Sequence, residues 1–424
     1  MLYESVIFIG SVIARFIALF DKKMARFFSL REKETERIAD YFSSYQNQKN
    51  KVIWFHASSA GELEQAKPLI EHFKRTIKKA QIIASFFSPS GYDAGLKYKQ
   101  IDFCFNLPLD YTKNAEALLN CINPEIIIFS KYDVWTNLTV EARRRNVKLA
   151  LISATLPEKS LRHKFPLSSF FSKAYSALDR IYAISKADAD RFSKIAKNKH
   201  SIKISGDTRF DRIKTVIDNA QVNTKSIIKK QKDIDYLVAG STYEVCEKKL
   251  IGVLKQLNEN YKNIRLILVP HEIDAGNILR LNKLVSSYGY NPVMYSKAVH
   301  PVLLNDNDVL IIDAFGVLAF LYREADIVFV GGSYKGSVHS VLEPAIFGKT
   351  ILTGPYIQNS YEALELNLAG GLLVCKDQDE LFKQTSDLIR DKSYRNKIAQ
   401  KAKIFFEKNT GATNIILKDI RKLL

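Results

Sequence analysis

Short apolar runs rich in Ile, Val and Phe recur along the chain beyond residue 50, and longer amphipathic stretches separate most of them. No other feature narrows the fold so far. A strand that is apolar throughout is covered on both faces, and helices between such strands give a parallel sheet. The first half holds seven candidates: Lys51–Ala57, Gln81–Ser88, Asp102–Leu107, Glu125–Ser130, Lys148–Ser153, Arg180–Ser185 and Ser201–Ser205. The second half holds seven more: Tyr236–Gly240, Arg265–Pro270, Pro292–Tyr295, Val309–Asp313, Ile327–Val330, Thr350–Thr353 and Leu372–Val374. Helical patterns such as Glu62–Lys79 and Trp135–Asn146 lie between them. The polar, charged stretch around Phe210–Asp233 reads as a linker. The expected class is α/β, two doubly wound Rossmann-like domains facing each other across a cleft. Their expected bounds are 31–212 and 234–424, with a linker at 213–233. The last helices, from about Ser393, have no strand after them and are expected to cross back to the first domain. Ligands of such sheets bind beyond the carboxyl ends of the strands.

The first 20 residues, "MLYESVIFIGSVIARFIALF", are almost wholly apolar, and "DKKMARFFSLREKETER" follows. A cleaved signal peptide would start basic and end in small residues, the reverse of this order. A spanning helix needs about 20 apolar residues, so the stretch is marginal for crossing. Arg15 favours a helix of residues 1–30 lying in the membrane interface, with Lys22, Lys23 and Arg26 towards lipid headgroups. An ordinary core helix is the alternative. The following domain is expected on the cytoplasmic side.

Lys plus Arg number 63 against 45 Asp plus Glu, a formal charge of +18, which favours anionic partners. Four scattered cysteines and seven dispersed histidines show neither a disulfide framework nor a metal-ligand spacing. No metal and no cofactor is therefore expected.

Four stretches at strand ends carry chemistry. "ASSAGE" offers small residues, Ser59 and Gly61 among them, then Glu62 at a helix start. A carboxylate there complements the helix dipole, or it serves as a base. "SPSGYDAG" places Ser90 at another helix start, either an ordinary capped turn or a polar-group site. "IIIFSKYDVWTNL" gathers Lys131, Asp133, Trp135 and Asn137 after a strand, a cluster suited to substrate handling. The densest stretch runs from Asp326 to Leu366: Gly331, Gly332 and Ser333, then a Gly/Lys/Ser loop, a helix opening near His339 and carrying Glu343, and later Asn359 and Glu362. Glycines let backbone N–H groups approach phosphate, and a glutamate one turn into a helix can accept ribose hydroxyls.

Together these stretches resemble the Kdo (3-deoxy-manno-octulosonic acid) transferases of lipopolysaccharide assembly. "FHASSAGE", "YDVWTNL", "AGSTYEVCE" and "FVGGS…HSVLEPAIFGKTILTGP…N..EA" each resemble a family motif, the last being the most diagnostic. The resemblance spans most of the chain. It implies a GT-B fold, attachment to the cytoplasmic face of the inner membrane, and inverting transfer of Kdo from CMP-Kdo to a lipid A precursor, lipid IVA. It puts Glu62 on the general base and Asp133 on a second acidic position of the acceptor region, where Glu is more usual. Ser59, Gly61, Ser90 and Lys131 are the expected acceptor-side residues. Ser241, Thr242, Gly332, Ser333, His339, Glu343, Asn359 and Glu362 are the expected donor-side residues. Many relatives carry Pro-Arg-His where this chain has Pro270, His271 and Glu272, so His271 becomes the candidate for holding the donor phosphate or carboxylate. His339-Ser340 stands where relatives have His-Asn.

Two rivals remain at this level. Another GT-B enzyme, a UDP-sugar transferase or epimerase, would use the same sheets. A non-enzymatic basic protein could bind nucleic acid or anionic membrane, but no RNA-binding or helix-turn-helix signature appears, so no nucleic-acid partner is expected.

Overall fold

The computed structural model describes residues 2–44, 51–165, 167–221, 226–261 and 263–424. The strands are β1 Lys51–Ala57, β2 Ala80–Phe86, β3 Phe103–Asn106, β4 Ile126–Ser130, β5 Lys148–Ala154, β6 Arg180–Ala183, β7 Ile202–Ile204, β8 Asp235–Thr242, β9 Ile264–Pro270, β10 Asn291–Met294, β11 Asp308–Ile311, β12 Ile327–Val330, β13 Thr350–Thr353 and β14 Leu372–Val374. Every apolar run read from the sequence forms one of them. They build two seven-stranded sheets, ordered β3-β2-β1-β4-β5-β6-β7 and β10-β11-β9-β8-β12-β13-β14. All pairings within the sheets are parallel.

The two-sided burial is visible along β1. Val52 and Trp54 enter one apolar core, whereas Ile53, Phe55 and Ala57 enter the core on the opposite face. Successive side chains of a strand point to opposite faces, so a sheet with helices on both sides needs apolar residues at every position.

Residues 1–212 and 410–424 form one compact unit, and 213–409 form the other. The helix Ala412–Ile420 buries Ile416, Leu417 and Ile420 on the first sheet. Its Asp419 accepts from Arg180 Nε (2.8 Å), Lys203 Nζ (2.6 Å) and Tyr182 Oη (3.0 Å). Asp211 accepts from the backbone N–H groups of Gly411 and Thr413, each at 2.6 Å. Much of the stretch read as a linker is a helix, Thr208–Gln221; residues 222–225 of it lie outside the described residues.

The helix Leu2–Ile17 buries none of its residues. Its first turn is fastened to the first unit: Tyr3 Oη donates to Asp110 (2.8 Å), and Glu4 accepts from Thr112 N (2.7 Å). Among the described residues no helix is long and apolar enough to cross a membrane. Arg26, expected towards lipid headgroups, pairs with Asp93 at 2.6 Å. Lys22 and Lys23 remain exposed.

Candidate functional site

In the first unit the chain runs from β1 to β2 on one side and returns to β4 on the other, so the loops after β1 and β4 diverge. Such a switch point opens a crevice at the carboxyl ends of the strands. Ser59 is the N-cap of the helix Ala60–Thr76, its Oγ accepting from Glu62 N at 3.4 Å. Glu62 Oε2 in turn accepts the Ser58 N–H at 2.6 Å. The carboxylate therefore does cap the helix, a variant of the capping box. It is also only 6% exposed. Burial and then the charge of Asp133 push its pKa up to about 7, although the Ser58 N–H and Lys131 oppose the rise. A proton acceptor balanced near neutrality is suited to general-base work.

Asp133 is held by Arg162 Nη2 at 2.8 Å. The Arg162 guanidinium lies 4.6 Å from the Tyr132 ring centroid and 4.8 Å from that of Phe171. Lys131 takes a left-handed backbone conformation, φ 69°, where β4 breaks off. Above Gly61 the space is open: a Cβ would meet only Ser59 Oγ, at 4.0 Å. Ser90 is exposed, its Oγ 3.2 Å from Ser88 Oγ. The Ser88 N–H donates to Ser58 O at 2.8 Å, and a Cβ on Gly91 would lie 3.2 Å from Ser59 Cα. The loops after β1 and β2 thus abut, and Ser59, Glu62, Ser90, Lys131 and Asp133 occupy the ends of three adjacent strands. Asn137 does not join them. It donates to Asp110 O (2.5 Å) and Glu4 (3.3 Å), which fastens a helix start.

Beneath Glu62 lies a group not singled out in the sequence, His56. Its Nε2 accepts from Trp135 Nε1 at 2.9 Å, leaving Nδ1 to donate to Ser85 Oγ at 2.8 Å. Trp54 Nε1 donates to the same Ser85 oxygen at 2.8 Å. Complete burial, followed by Arg31, drops the His56 pKa to about 3, so the ring stays neutral. The histidine stands in "FHASSAGE", so a motif signal for it existed. Arg162 had none, because it lies in a loop of mixed polar residues.

In the second unit the corresponding strand ends are those of β8, β9 and β12. Ser241 is left-handed, φ 53°, and buried Thr242 donates to Glu247 at 3.0 Å. Gly331 packs on that turn so closely that a Cβ would sit 2.2 Å from Ser241 O. Gly332 has φ 88° and lies against the Ser337 carbonyl and His339. Ser333 is fully buried. The rings of Tyr243, His271 and His339 pack together, His271 and His339 stacked with centroids 4.5 Å apart and Tyr243 tilted against His271 at 4.9 Å. Burial and the neighbouring His271 hold His339 below the ordinary imidazole value. Asn359 accepts from Val338 N (3.0 Å) and donates to Ser337 Oγ (3.0 Å), pinning the loop that carries His339.

The helix expected to open near His339 begins later and is short, Leu342–Ile346. Glu343 is its second residue, not one turn in, and burial raises its pKa. Glu362 is buried at the start of the helix Tyr361–Leu368. A cavity of ≈ 500 Å³ opens beside the ring stack, lined by Thr242, Tyr243, Glu244, Val245, Lys248, Glu272, Asn277, Arg280 and Lys335.

The fold is shared with solved structures. UDP-GlcNAc 2-epimerase from Neisseria meningitidis, bound to UDP-GlcNAc, superposes with a TM-score of 0.61 over 88% of this chain and 100% of its own, at 15% identity. The two sheets and this likeness define a GT-B architecture. Residues 32–212 match the family model described as 3-Deoxy-D-manno-octulosonic-acid transferase (kdotransferase). The 3-deoxy-D-manno-octulosonic acid transferase of Chlamydophila psittaci is 27% identical over 85% of this chain and 82% of its own. The enzyme of the same description from Haemophilus influenzae is 24% identical over 96% and 95%. The chain is thus a glycosyltransferase by class. Over most of its length it is similar to the Kdo transferases.

Proposed function

We propose that the chain transfers Kdo from CMP-Kdo to a lipid A precursor, lipid IVA, in lipopolysaccharide biosynthesis, with Glu62 as general base. The observation that carries the base assignment is the environment of Glu62: a buried carboxylate beyond the end of β1, its pKa raised to about 7 by burial and by Asp133. Above that value it takes the proton of an acceptor hydroxyl while the anomeric carbon develops oxocarbenium character. CMP departs as an anion, stabilised by the backbone of the Gly331–Ser333 turn and by the β8 and β9 turns. Inversion follows from one base and no covalent intermediate. Asp133, with Ser59, Gly61, Ser90 and Lys131, serves the acceptor. Ser241, Thr242, His271, Gly332, Ser333, His339, Glu343, Asn359 and Glu362 serve the donor.

A single phosphate leaves with the nucleotide, so the reaction is proposed to run without a metal. Exposed apolar side chains on the helix Leu2–Ile17 support attachment at the cytoplasmic face of the inner membrane. Incubation with CMP-Kdo and lipid IVA, followed by mass spectrometry, tests the reading: a Kdo mass increment is expected with EDTA present. Turnover of UDP-GlcNAc in its place would favour the epimerase-like alternative.

A further inference from the structure

Three cations line the cavity in the second unit: Lys248, Arg280 and Lys335. Two are already paired with carboxylates, although Arg280 Nη1 has no partner among the described residues. Lys248 Nζ pairs with Glu244 at 2.6 Å. Arg280 forms an ion pair with Glu247, which is fully buried, and its Nε donates to Asn277 at 3.0 Å. Lys335 is different. Among the described residues it pairs with no carboxylate, Glu272 on the same wall included, and its Nζ stands 4.2 Å from the Tyr243 ring centroid. That ring belongs to the stack with His271 and His339, which ties the ammonium to the ends of β8, β9 and β12. The same short turn, Ser333–Lys335, holds a second unsatisfied group: Ser333 Oγ is fully buried and has no hydrogen-bond partner among the described residues. The residue after Pro270 is His271, which is no permanent cation, and its neighbour His339 is held towards the neutral form.

We infer that Lys335 supplies the fixed positive charge that holds the anionic phosphate of the nucleotide-activated sugar in the second unit. An ammonium resting on an aromatic face keeps most of its charge available, and a phosphate can draw it off the ring at little cost. Glycines at 331, 332 and 336 flank the lysine and let the backbone follow it. The inference rests on the donor reading above, and its test separates the two.

Calorimetric titrations with CMP, cytidine and UDP are made on the full chain and on Lys335→Gln and Lys335→Arg. Lys335 is exposed, so both variants are expected to fold, and their melting temperatures check this. Losing one charge-assisted contact should weaken CMP about tenfold or more in the Gln variant, with the Arg variant within about threefold of the wild type. Cytidine, which has no phosphate, should bind both variants as it binds the wild type. A CMP affinity within about twofold of wild type in Lys335→Gln overturns the inference, as does an equal loss for cytidine. If the wild type binds UDP and not CMP, the donor reading fails, and the same ratio measured with UDP decides the lysine. If it binds neither, both fall.

Discussion

At Glu62 a helix cap and the proposed catalytic base are compatible descriptions of one residue. Its hydrogen bond from the Ser58 N–H fixes the carboxylate, while burial and Asp133 keep it reluctant to ionise. Glu62→Ala should cut transfer by at least about a hundredfold, the usual size of a general-base contribution, with CMP-Kdo binding retained. Retention of activity within tenfold would refute the base. The pH profile should fall on the acid side below about pH 7, since only the carboxylate accepts the proton. Stability moves the other way. The folded-state pKa is raised above the ordinary carboxyl value, so the protonated form favours folding below that value. The advantage is lost as pH rises from about 4.5 through about 7. Glu62→Gln should therefore melt at a higher temperature than wild type at pH 8 and show little gain at pH 5. A gain of equal size at both would show that ionisation is not the cause. Below Glu62, Ser85 accepts two buried N–H groups, from Trp54 and His56. Ser85→Ala leaves both unsatisfied and should cost about 2–4 kcal/mol in urea unfolding.

At the scale of elements, the strands were legible and the turns between them much less so. Continuous Ile/Val/Phe runs locate β1 to β14 because burial on both faces leaves no other composition for them. The start of the helix at Leu342 was not legible. Gly332 and Gly336 take left-handed conformations and Asn359 ties down Val338, so the chain from 333 to 341 forms turns where the sequence pattern suggests a helix near His339. The candidate site divides similarly. Glu62, Asp133 and the glycine turn stood out through their motifs, whereas Arg162 and the ring stack depend on contacts between residues far apart in sequence. The stack also gives the loop a measurable role. Asn359→Ala removes three hydrogen bonds from the segment Ser337–Val338, so KM for CMP-Kdo should rise about tenfold with KM for lipid IVA unchanged. Equal changes in both would point to general destabilisation. Gly331→Ala is expected to be more severe, because its Cβ would collide with backbone and not with a side chain able to move.

For the molecule as a whole, an excess of 18 positive charges and an exposed apolar first helix both suit an anionic lipid surface. Phe8, Ile9, Val12 and Phe16 are each more than half exposed, so water contacts side chains that would gain from transfer into lipid. The helix is not loose, since Tyr3 and Glu4 fasten its start to the first unit and Arg15 stands 4.6 Å from the Phe28 ring centroid. The proposed attachment by this face makes two separable demands. Replacing Phe8, Ile9 and Phe16 by Ser should lower binding to vesicles of anionic phospholipid by more than about a hundredfold at any salt concentration, because the lost term is apolar. Replacing Lys22 and Lys23 by Gln should weaken binding only at low salt, by about fivefold per residue, because that term is screened. Neither set carries buried packing, so thermal unfolding should be unchanged. If the triple Ser variant co-sediments with vesicles as the wild type does, the attachment surface lies elsewhere on the chain, and the exposed phenylalanines need another explanation.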